Sequence, residues 1–367
     1  MKLDTLYHEA RTGKLHSWVI TTDGADLVEE YGTVDGLKTT NRRTCKAKNI
    51  GKANETSPED QAVKEACAKH QKKLDKGYSA SKEKAKETVF LPQLAQDYTK
   101  LKKKLQFPVD VQPKLDGVRC LAYWKDGELK LMSRGGKEYN VPHIQEEVAS
   151  FLPEDFVCDG ELYIPDMALQ DISALVKKHR EPDHPDYPGG SIQLKFWIFD
   201  GFYKDKTDRT WIRRYEDLWG FVGEILDTNH LRLCFTEIMD DQKELEEQLE
   251  RWEKGGYEGI IIRKDGPYKL GRRSSDLLKW KNFLDAEYVI VGHKEAQGND
   301  QGTVVWQCST PEGLFFDVRP KGTRKVRREW FENAEGYYGK KLTVKYQGLT
   351  KSGIPQFPIG LALRDYE

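Results

Sequence analysis

A lysine at position 114 stands where nucleophilic chemistry is possible. The stretch "VQPKLDGVRC" places Lys114 after a proline and before Leu-Asp-Gly, between a predicted strand and a glycine turn. A lysine amine attacks an electrophile only when it is deprotonated, and nearby cations or loss of water favour that form. A salt bridge on a hairpin explains the same residues equally well. The neighbours of Lys114 must therefore decide.

Further cations occur in the same region. In "LLKWK" a strand would present Lys279 and Lys281 on one face, two residues apart. Two lysines on one face repel each other unless an anion binds there, although a solvated strand face is the ordinary alternative. Arg119 and Arg134 add guanidinium groups, which match phosphate oxygens. These cations are typical of a phosphate-binding site.

Carboxylates accompany these cations. Asp159 and Glu161 alternate along "VCDGELY", and Glu258 stands at the start of the apolar run "EGIIIRK". Mg²⁺ prefers one or two carboxylates together with water and phosphate oxygens. Each acid alone could be an edge charge, but together with the cations they predict a site for a polyphosphate and its metal.

The elements that must position these residues form an α+β region over about 90–284, where β-rich runs alternate with helical segments. One predicted helix, "QKELEEQLERWEKGG", places Leu245, Leu249 and Trp252 on one face and ends at Gly255-Gly256. This helix leads directly into the strand that follows Glu258.

Two smaller regions flank this core. Residues 1–80 contain the hairpin dipeptides Asp23-Gly24 and Asp35-Gly36 and a helix beginning at Ser57-Pro58, and residues 79–86 have the composition of a linker. Residues 285–367 show short strands, glycine turns and no long helix, which predicts a small β-barrel. Three domains are therefore expected, over 1–80, 90–284 and 285–367.

Composition excludes several classes of protein. The 367 residues are 38% hydrophobic and 32% charged, with a net charge of −1 and no apolar run long enough to span a bilayer. The start of the chain has no apolar core of a secretory signal, so we expect a cytoplasmic protein. The six cysteines are scattered without metal-ligand spacing, so neither a zinc site nor a disulfide framework is predicted.

The ordered motifs resemble those of ATP-dependent DNA ligases, within the covalent nucleotidyltransferase superfamily. They are "KLDGVR" from 114, "SRGGKEY" from 133, "CDGELY" from 158, "FWIFDGF" from 196, "EGIIIRK" from 258 and "LLKWK" from 277. One such motif would be weak evidence, but six in family order over most of the chain are specific. The resemblance implies a nucleotidyltransferase core, a C-terminal OB fold, and an enzyme that seals 5′-phosphate/3′-hydroxyl nicks in duplex DNA.

The resemblance also implies residue roles. Lys114 would attack the α-phosphate of ATP and hold AMP, while Lys279 and Lys281 would bind that phosphate and stabilise the transition state. Arg119 and Arg134 would bind phosphate, the second at the 5′ end of the nick. The remaining implied roles are ribose contact by Glu161, metal binding by Asp159, Glu161 and Glu258, and adenine stacking by Phe199, whose alternative is ordinary strand core. The implied cofactors are ATP and Mg²⁺, with Mn²⁺ as a substitute.

Two positions depart from the family pattern. Gln112 stands where many relatives have a glutamate that reads the adenine amino group; an amide oxygen still accepts a hydrogen bond, but discrimination against GTP is weaker. Gln356 replaces the arginine of the last motif, "GIPQFPIGLALRDYE". Arg364 and Lys351 are candidates to assist pyrophosphate departure instead.

Basic stretches indicate nucleic-acid contacts. "RPKGTRKVRREW" in the C-terminal region and "KDGPYKLGRRSSDLLKWK" in the core suit sequence-blind phosphate binding. The N-terminal region loosely resembles a WGR domain, with Tyr31-Gly32-Thr33 at the name-giving position, and five of its cations occur without an intervening acid: Arg42, Arg43, Lys46, Lys48 and Lys52. We expect an accessory DNA-binding domain there, with a purely supporting domain as the alternative.

Other functions share parts of this pattern. An RNA ligase or a capping guanylyltransferase would use the same lysine chemistry, and a catalytically silent DNA-binding protein would tolerate loss of Lys114 or Glu258. NAD⁺-dependent relatives carry a nicotinamide-binding domain and a cysteine zinc finger, which this sequence lacks. A monomeric ligase acting on nicked duplex DNA is the expectation.

Overall fold

A computed structural model describes residues 1–10, 12–51, 53–86, 89–101, 104–222, 228–350 and 352–364. The chain divides into two compact units, Met1–Trp280 and Lys281–Glu367. The second unit begins four residues before the start predicted for the third domain. Lys52 and Lys351, both named above as candidates, lie outside the described residues.

The N-terminal region forms one antiparallel sheet with a helix packed on it. Its strands, in spatial and chain order, are β1 (Leu6–Glu9), β2 (Leu15–Asp23), β3 (Asp26–Thr33) and β4 (Lys38–Thr44), followed by helix α1 (Pro58–Asp75). The Ser57 hydroxyl caps α1 by accepting a hydrogen bond from the Asp60 N–H. Trp18 and Ile20 of the sheet pack in one buried cluster with Ala62 and Ala66 of the helix. The predicted hairpins and helix are confirmed.

The segment predicted as a linker is part of this packing. Ser79 pairs with Tyr7 of β1 through two backbone hydrogen bonds, at 2.7 and 2.9 Å. Ala85 lies in a 3-10 turn, Lys84–Lys86, and is almost completely buried. The segment is thus not wholly solvated, as its small and charged composition suggested: Ala80 is exposed, but Ser79 pairs with β1 and Ala85 is buried.

The middle of the chain contains the remaining elements of the first unit. In chain order they are β5 (Leu94–Asp97), β6 (Val109–Lys114), β7 (Val118–Lys125), β8 (Glu128–Ser133), β9 (Glu138–Tyr139), α2 (Pro142–Ala149), β10 (Phe156–Tyr163), α3 (Leu169–Lys177), β11 (Lys195–Tyr203), α4 (Trp211–Val222), β12 (Leu231–Leu233), β13 (Glu237–Met239), α5 (Gln242–Lys254), β14 (Gly259–Arg263) and β15 (Arg273–Trp280). Short 3-10 turns also occur at Tyr98–Lys100 and Ser191–Gln193.

These strands form two sheets. One has the order β12-β11-β10-β7-β8-β9, and the other has the order β13-β6-β14-β15-β5. Most neighbours are antiparallel, with parallel pairs β11/β12 and β15/β5. The predicted α+β class is confirmed.

Helices bury the back of each sheet. Ile144 and Val148 of α2 and Ile172 of α3 belong to the core cluster of the six-stranded sheet. On the five-stranded sheet, α5 buries Leu245, Leu249 and Trp252 against a cluster that includes Ile260 and Ile262 of β14. The face predicted for α5 is therefore correct, and it fixes the strand that follows Glu258.

The second unit is a closed barrel with one short helix. Its strands are β16 (Leu284–Glu295), β17 (Val304–Ser309), β18 (Phe315–Pro320), β19 (Lys341–Tyr346) and β20 (Ile359–Arg364), closed in the order β16-β17-β18-β20-β19. Helix α6 (Arg324–Glu332) and 3-10 turns at Gly298–Asp300 and Ala334–Tyr337 connect them. The predicted barrel is confirmed, and the basic stretch runs from the end of β18 into α6.

None of the helices in the described part of the chain combines the length and apolar character that a bilayer crossing requires.

The packing of α5 gives a stability prediction. Leu249→Ala should lower the free energy of unfolding by about 2–5 kcal/mol, because it removes a buried side chain and leaves a cavity under β14. The matched control, Leu37→Ala, truncates a leucine that is 97% exposed and should change stability by less than about 0.5 kcal/mol. Urea denaturation of both variants measures the difference; equal midpoints would contradict the assigned packing.

Candidate active site

A pocket of about 180 Å³ lies between the two sheets of the first unit. Of the residues predicted to carry the chemistry, its lining includes Gln112, Lys114, Arg119, Arg134, Glu161, Phe199 and Lys279. The fold thus brings together residues spread over more than 160 positions of the chain.

Strand register builds one wall of the pocket. Gln112 on β6 lies opposite Ile261 on β14, which in turn lies opposite Lys279 on β15. Lys114 lies opposite Gly259, the first residue of β14. Directly paired residues on adjacent strands point to the same face, so three separate motifs meet on one surface.

The opposite wall comes from the six-stranded sheet. Arg119 on β7 lies opposite Glu161 on β10. The pairing of β10 with β11 shifts between Asp159 and Gly160, so that Phe199 is an extra residue in the ladder. Bulges of this kind re-aim a side chain, and Phe199 is half-buried and lines the pocket. The Phe199 side chain therefore does not belong to the ordinary strand core, which was the alternative interpretation of this residue.

Lys114 has a carboxylate partner. Its Nζ forms an ion pair with a carboxylate oxygen of Glu258, with both side chains about one-fifth exposed (17% and 20%). Glu161 is nearby and unusual: its Oε2 is buried and accepts no hydrogen bond from a described residue. Burial raises the pKa of Glu161 to about 7, against the opposing influence of Lys114 and Arg119.

Asp159 does not join this group. Both of its carboxylate oxygens accept hydrogen bonds from Arg119, each at 2.6 Å, and one also accepts from the Tyr268 hydroxyl. Asp159 is completely buried behind these partners. Arg119 and Tyr268 use three of the roughly four lone-pair positions of this carboxylate, which disfavours the predicted metal-ligand role of Asp159.

Arg119 is held in place as firmly as its partner Asp159. Besides Asp159, its Nη2 donates to the Gln93 carbonyl at 3.2 Å, and its guanidinium lies 4.7 Å from the centroid of the Phe199 ring. Burial alone would lower the pKa of Arg119, but Asp159 raises it above its ordinary value. Arg119 is thus a fixed cation on the pocket wall rather than a flexible arm.

Gln112 is almost completely buried, and both ends of its amide are engaged. Its Nε2 donates to the Phe199 carbonyl at 3.2 Å and to the Thr236 hydroxyl at 2.9 Å, while its Oε1 accepts from Arg263 Nε at 2.6 Å. The Phe199 carbonyl only accepts and the guanidinium only donates, which fixes this orientation. The oxygen expected to face adenine is directed at Arg263 instead.

Arg263 belongs to a buried cluster of charges. Asp200 accepts hydrogen bonds from Arg214, at 3.0 and 3.1 Å, and from Arg263 at 2.7 Å. All three side chains are at most 4% exposed. This cluster joins β11, α4 and β14 behind the pocket.

Two predicted residues have other surroundings. Lys281 is the first residue of the second unit, where its Nζ lies 5.4 Å from the centroid of the Phe283 ring. Arg364, also in the second unit, donates to the Thr343 hydroxyl at 2.7 Å, and its Nε lies 3.5 Å from a Glu287 oxygen. The structure therefore leaves their chemical roles as predictions.

Many predicted DNA-binding cations are paired with acids. In the N-terminal region Arg42 pairs with Asp23 and Asp26, while Arg43 and Lys48 pair with Glu65. The sequence interval without acids was misleading because neighbouring strands and α1 supply them.

The basic stretch of the barrel is divided in the same way. Arg319 and Arg327 both pair with Asp300, at 2.6 and 2.7 Å. Arg327 is almost completely buried. The other basic side chains of the stretch are exposed: Lys321, Arg324, Lys325 and Arg328.

Three residues that contact the site were not predicted from the sequence: Thr236, Arg263 and Tyr268. Arg263 follows Ile261 by two, so strand alternation alone would have placed it on the pocket face. Thr236 and Tyr268 carry no comparable signal, because they lie in connections whose path only the fold defines.

This geometry defines a class: a nucleotidyltransferase core with a lysine nucleophile, followed by an OB-like barrel. Two family models match the chain, the ATP dependent DNA ligase domain over residues 91–281 and the DNA ligase OB-like domain over 303–364. The first match alone covers more than half of the chain, and the chain therefore belongs to the ATP-dependent DNA ligase family. The general reaction of that family passes through a lysyl-AMP intermediate, and a divalent metal is generally required.

Known proteins resemble the chain over most of its length. The DNA ligase of African swine fever virus is 29% identical over 395 residues, covering 95% of this chain and 91% of the viral protein. The end-joining protein LigD of Pseudomonas aeruginosa is 30% identical over 192 residues, covering 51% of this chain and 21% of that protein. Neither finding tests the WGR-like resemblance of the N-terminal region.

Solved structures share the fold. A Lig E DNA ligase, studied as a minimal DNA-binding scaffold, superposes with a TM-score of 0.61 at 24% identity over 76% of this chain and all of that one. Pmar-Lig_PreS3 gives 0.67 at 21% identity over 84% and 74% of the two chains. The predicted core and OB fold are confirmed.

Substitution of Asp200 tests the buried cluster. Asp200→Asn keeps the shape but leaves Arg214 and Arg263 without a buried counter-charge, which should lower the free energy of unfolding by about 3–5 kcal/mol. Asp205→Asn, at an exposed position five residues away, is the control and should change it by less than about 0.5 kcal/mol. Equal urea midpoints for the two variants would show that the pairs contribute little.

The same pairs predict a pH dependence. Burial alone would raise the pKa of Asp200, but Arg214 and Arg263 together bring it below the ordinary 3.8. A carboxylate with a depressed folded-state pKa stabilises the fold above the unfolded-state pKa and loses that contribution as the pH falls. Between about pH 5 and about pH 3 the wild type should lose more unfolding free energy than Asp200→Asn. Parallel curves of stability against pH would contradict this assignment.

Proposed function

We propose that this enzyme seals 5′-phosphate/3′-hydroxyl nicks in duplex DNA, with Lys114 as the residue that carries AMP. The observation that supports this most is the Lys114–Glu258 pair in a pocket shared with Phe199 and Lys279. A lysine amine beside a stacking ring and a second cation suits attack on a nucleotide α-phosphate.

The proposed chemistry has three transfers. The deprotonated Lys114 amine attacks the α-phosphorus of ATP, the bond to pyrophosphate breaks, and a phosphoramidate with AMP forms. A 5′-phosphate oxygen of the nick then attacks the same phosphorus, and Lys114 leaves. Finally the 3′-hydroxyl attacks the activated 5′-phosphate, the DNA backbone is joined, and AMP departs.

The pocket offers a group for each part of the nucleotide. Adenine would stack on Phe199, whose ring lies on the pocket wall, and Glu161 would contact the ribose. Lys279 and Lys281 would neutralise the α-phosphate as its negative charge increases. Arg134 is exposed at the pocket edge and is proposed to bind the 5′-phosphate of the nick, while the fixed Arg119 would contact phosphate from the wall.

Glu161 and Glu258 fit a divalent cation. The buried Oε2 of Glu161, which accepts no hydrogen bond within the described part of the chain, and the carboxylate of Glu258, which pairs with Lys114, are hard oxygen ligands near the phosphate site. We propose Mg²⁺, with Mn²⁺ as a substitute, held by these two residues; it would supply charge neutralisation of the phosphates. Within the described residues no group of three or more potential ligands is present, which suits an ion completed by water and substrate.

The Gln112 oxygen is only partly available for donor selection. Arg263 uses one of the two lone pairs of that oxygen, and the Gln112 amide N–H donates to the Phe199 carbonyl, so a contact with the amino group of adenine would depend on the second lone pair. We propose that ATP is the donor and that its base is held by stacking on Phe199, with weaker discrimination against GTP than a direct amino-group contact would give.

Exposed cations are the proposed DNA contacts. In the barrel these are Lys321, Arg324, Lys325 and Arg328, which are exposed on or beside α6. In the N-terminal region Lys46 is exposed and suits a phosphate contact, and the accessory DNA-binding role of this region remains a proposal.

Replacement of the nucleophile tests the mechanism. Lys114→Ala should abolish self-adenylation, because no amine remains to accept AMP, yet it should still join a nick supplied with a pre-adenylated 5′ end. Lys178→Ala, which removes an exposed lysine, is the control and should perform both reactions. Failure of Lys114→Ala on the pre-adenylated nick, with its fold intact by circular dichroism, would show that Lys114 also acts in the last step.

Donor and metal are tested by labelling. The protein is treated with EDTA, supplied with Mg²⁺ or Mn²⁺, and incubated with α-labelled ATP, GTP or NAD⁺ before a chase with nicked duplex DNA. We expect label from ATP only with added metal, and its release into sealed DNA. Retention of label from GTP would favour a capping enzyme. Label from ATP that is released by a broken RNA strand but not by nicked DNA would favour an RNA-joining enzyme.

A further inference from the structure

The turn that carries Arg134 is in tight contact with the N-terminal region. Arg134 lies in the loop between β8 and β9. Two residues later, Gly136 has φ of +85°, and a Cβ built on it would lie 2.7 Å from the carbonyl carbon of Asp75 and still closer to the carbonyl oxygen. A backbone carbonyl cannot rotate away as a flexible side chain can. This position therefore accepts only glycine while the last residue of α1 stays in place.

The turn transmits displacement because it is closed by its own hydrogen bonds. Ser133 N–H donates to the Lys137 carbonyl at 2.6 Å, Lys137 N–H donates to the Ser133 hydroxyl at 2.7 Å, and Gly136 N–H donates to the Ser133 carbonyl at 3.0 Å. Arg134 lies inside this loop. A shift of Gly136 away from α1 would therefore move the backbone that aims Arg134.

Charge supports the same contact. The Lys137 ammonium lies 3.9 Å from a carboxylate oxygen of Asp75, whose side chain is 11% exposed. The other oxygen of Asp75 accepts from Gln71 Nε2 at 2.8 Å. A cation also suits the C-terminal end of α1, where the helix dipole is negative.

The space beside this contact is open. A cleft of about 970 Å³ runs between the N-terminal region and the core, lined by His8 and Tyr78 on one side and by Tyr268 and Arg272 on the other. The chain just after α1 also makes a close contact at this cleft, where a Cβ built on Gly77 would lie 2.5 Å from a methyl carbon of Val89, but the contact of Asp75 with Gly136 is the one that falls on the turn of Arg134.

We infer that the end of α1 is a positioning element for Arg134, so that the N-terminal region controls transfer of AMP to the nick. The inference rests on the role proposed above for Arg134 at the 5′-phosphate. It assigns the N-terminal region an action on the chemistry that does not require it to touch DNA.

Gly136→Ala tests this inference. The added methyl group forces the turn away from Asp75, and the rate at which AMP-loaded enzyme seals a nick should fall about tenfold or more, since small misplacements of a binding group have effects of this size. Self-adenylation should stay within about twofold of wild type. Gly127→Ala is the matched control: Gly127 lies in the neighbouring turn with φ of +78° and no atom within 4 Å of a built Cβ, so it has the same backbone strain without the collision.

A charge exchange keeps the test independent of glycine strain. Asp75→Lys places two cations together and should slow sealing by loaded enzyme, and the further change Lys137→Asp should restore it. Damage to the fold alone would not be rescued by a second substitution across the contact. Single-turnover rates with nicked DNA, measured beside self-adenylation, separate these outcomes.

Arg134→Ala distinguishes the inference from the proposal on which it rests. If Arg134→Ala seals slowly while Gly136→Ala matches Gly127→Ala, the inference is wrong and the proposed role of Arg134 stands. If Arg134→Ala seals at the wild-type rate, the role of Arg134 and the inference both fail. A rate of Gly136→Ala reduced together with self-adenylation would also overturn the inference, because it would indicate general damage to the pocket.

Discussion

Asp200 lies buried between the guanidinium groups of Arg214 and Arg263, and the nucleotide pocket depends on this arrangement. A buried guanidinium without a counter-charge destabilises a fold by several kcal/mol, so the three side chains fix the distance between β11, α4 and β14. Arg263 then holds the Gln112 amide, and Gln112 holds the backbone of Phe199. A continuous set of polar contacts thus runs from the core to the pocket wall.

The groups that act on substrate have different surroundings from those that build the wall. Asp159 and Arg119 form a two-pronged pair, and the Tyr268 hydroxyl donates a third hydrogen bond to the buried Asp159 carboxylate. Lys114 and Glu258 form an ion pair in which both side chains are partly exposed. A pair with a buried acid keeps its geometry, whereas a partly exposed pair is accessible to a phosphate and its metal. The acids of the two pairs differ in exposure: Asp159 is 1% exposed, whereas Glu258 is 20% exposed.

Position in the sequence does not predict which cations remain available to DNA. Arg43 and Lys48 share Glu65, and Arg327 is buried against Asp300, although all three occur in stretches that read as basic. Antiparallel strands and helices bring acids from distant parts of the chain beside these cations. The N-terminal region therefore has fewer cations available to bind phosphate than its sequence indicates. Its contact with the turn of Arg134 is as well supported as any contact with nucleic acid.

The sequence by itself determined the elements and the class of chemistry. Glycine turns, helix caps and alternating strands depend on neighbouring residues, and the ordered motifs identified Lys114 and most of its partners. The tertiary structure decided what depends on contacts between distant residues: the pairing of Asp159 with Arg119 and Tyr268, the orientation of Gln112 toward Arg263, and the burial of Ala85 in the segment read as a linker. The reason is physical, since a side chain's hydrogen-bond partners, and therefore its free lone pairs and protons, are set by residues that only folding brings within 3 Å.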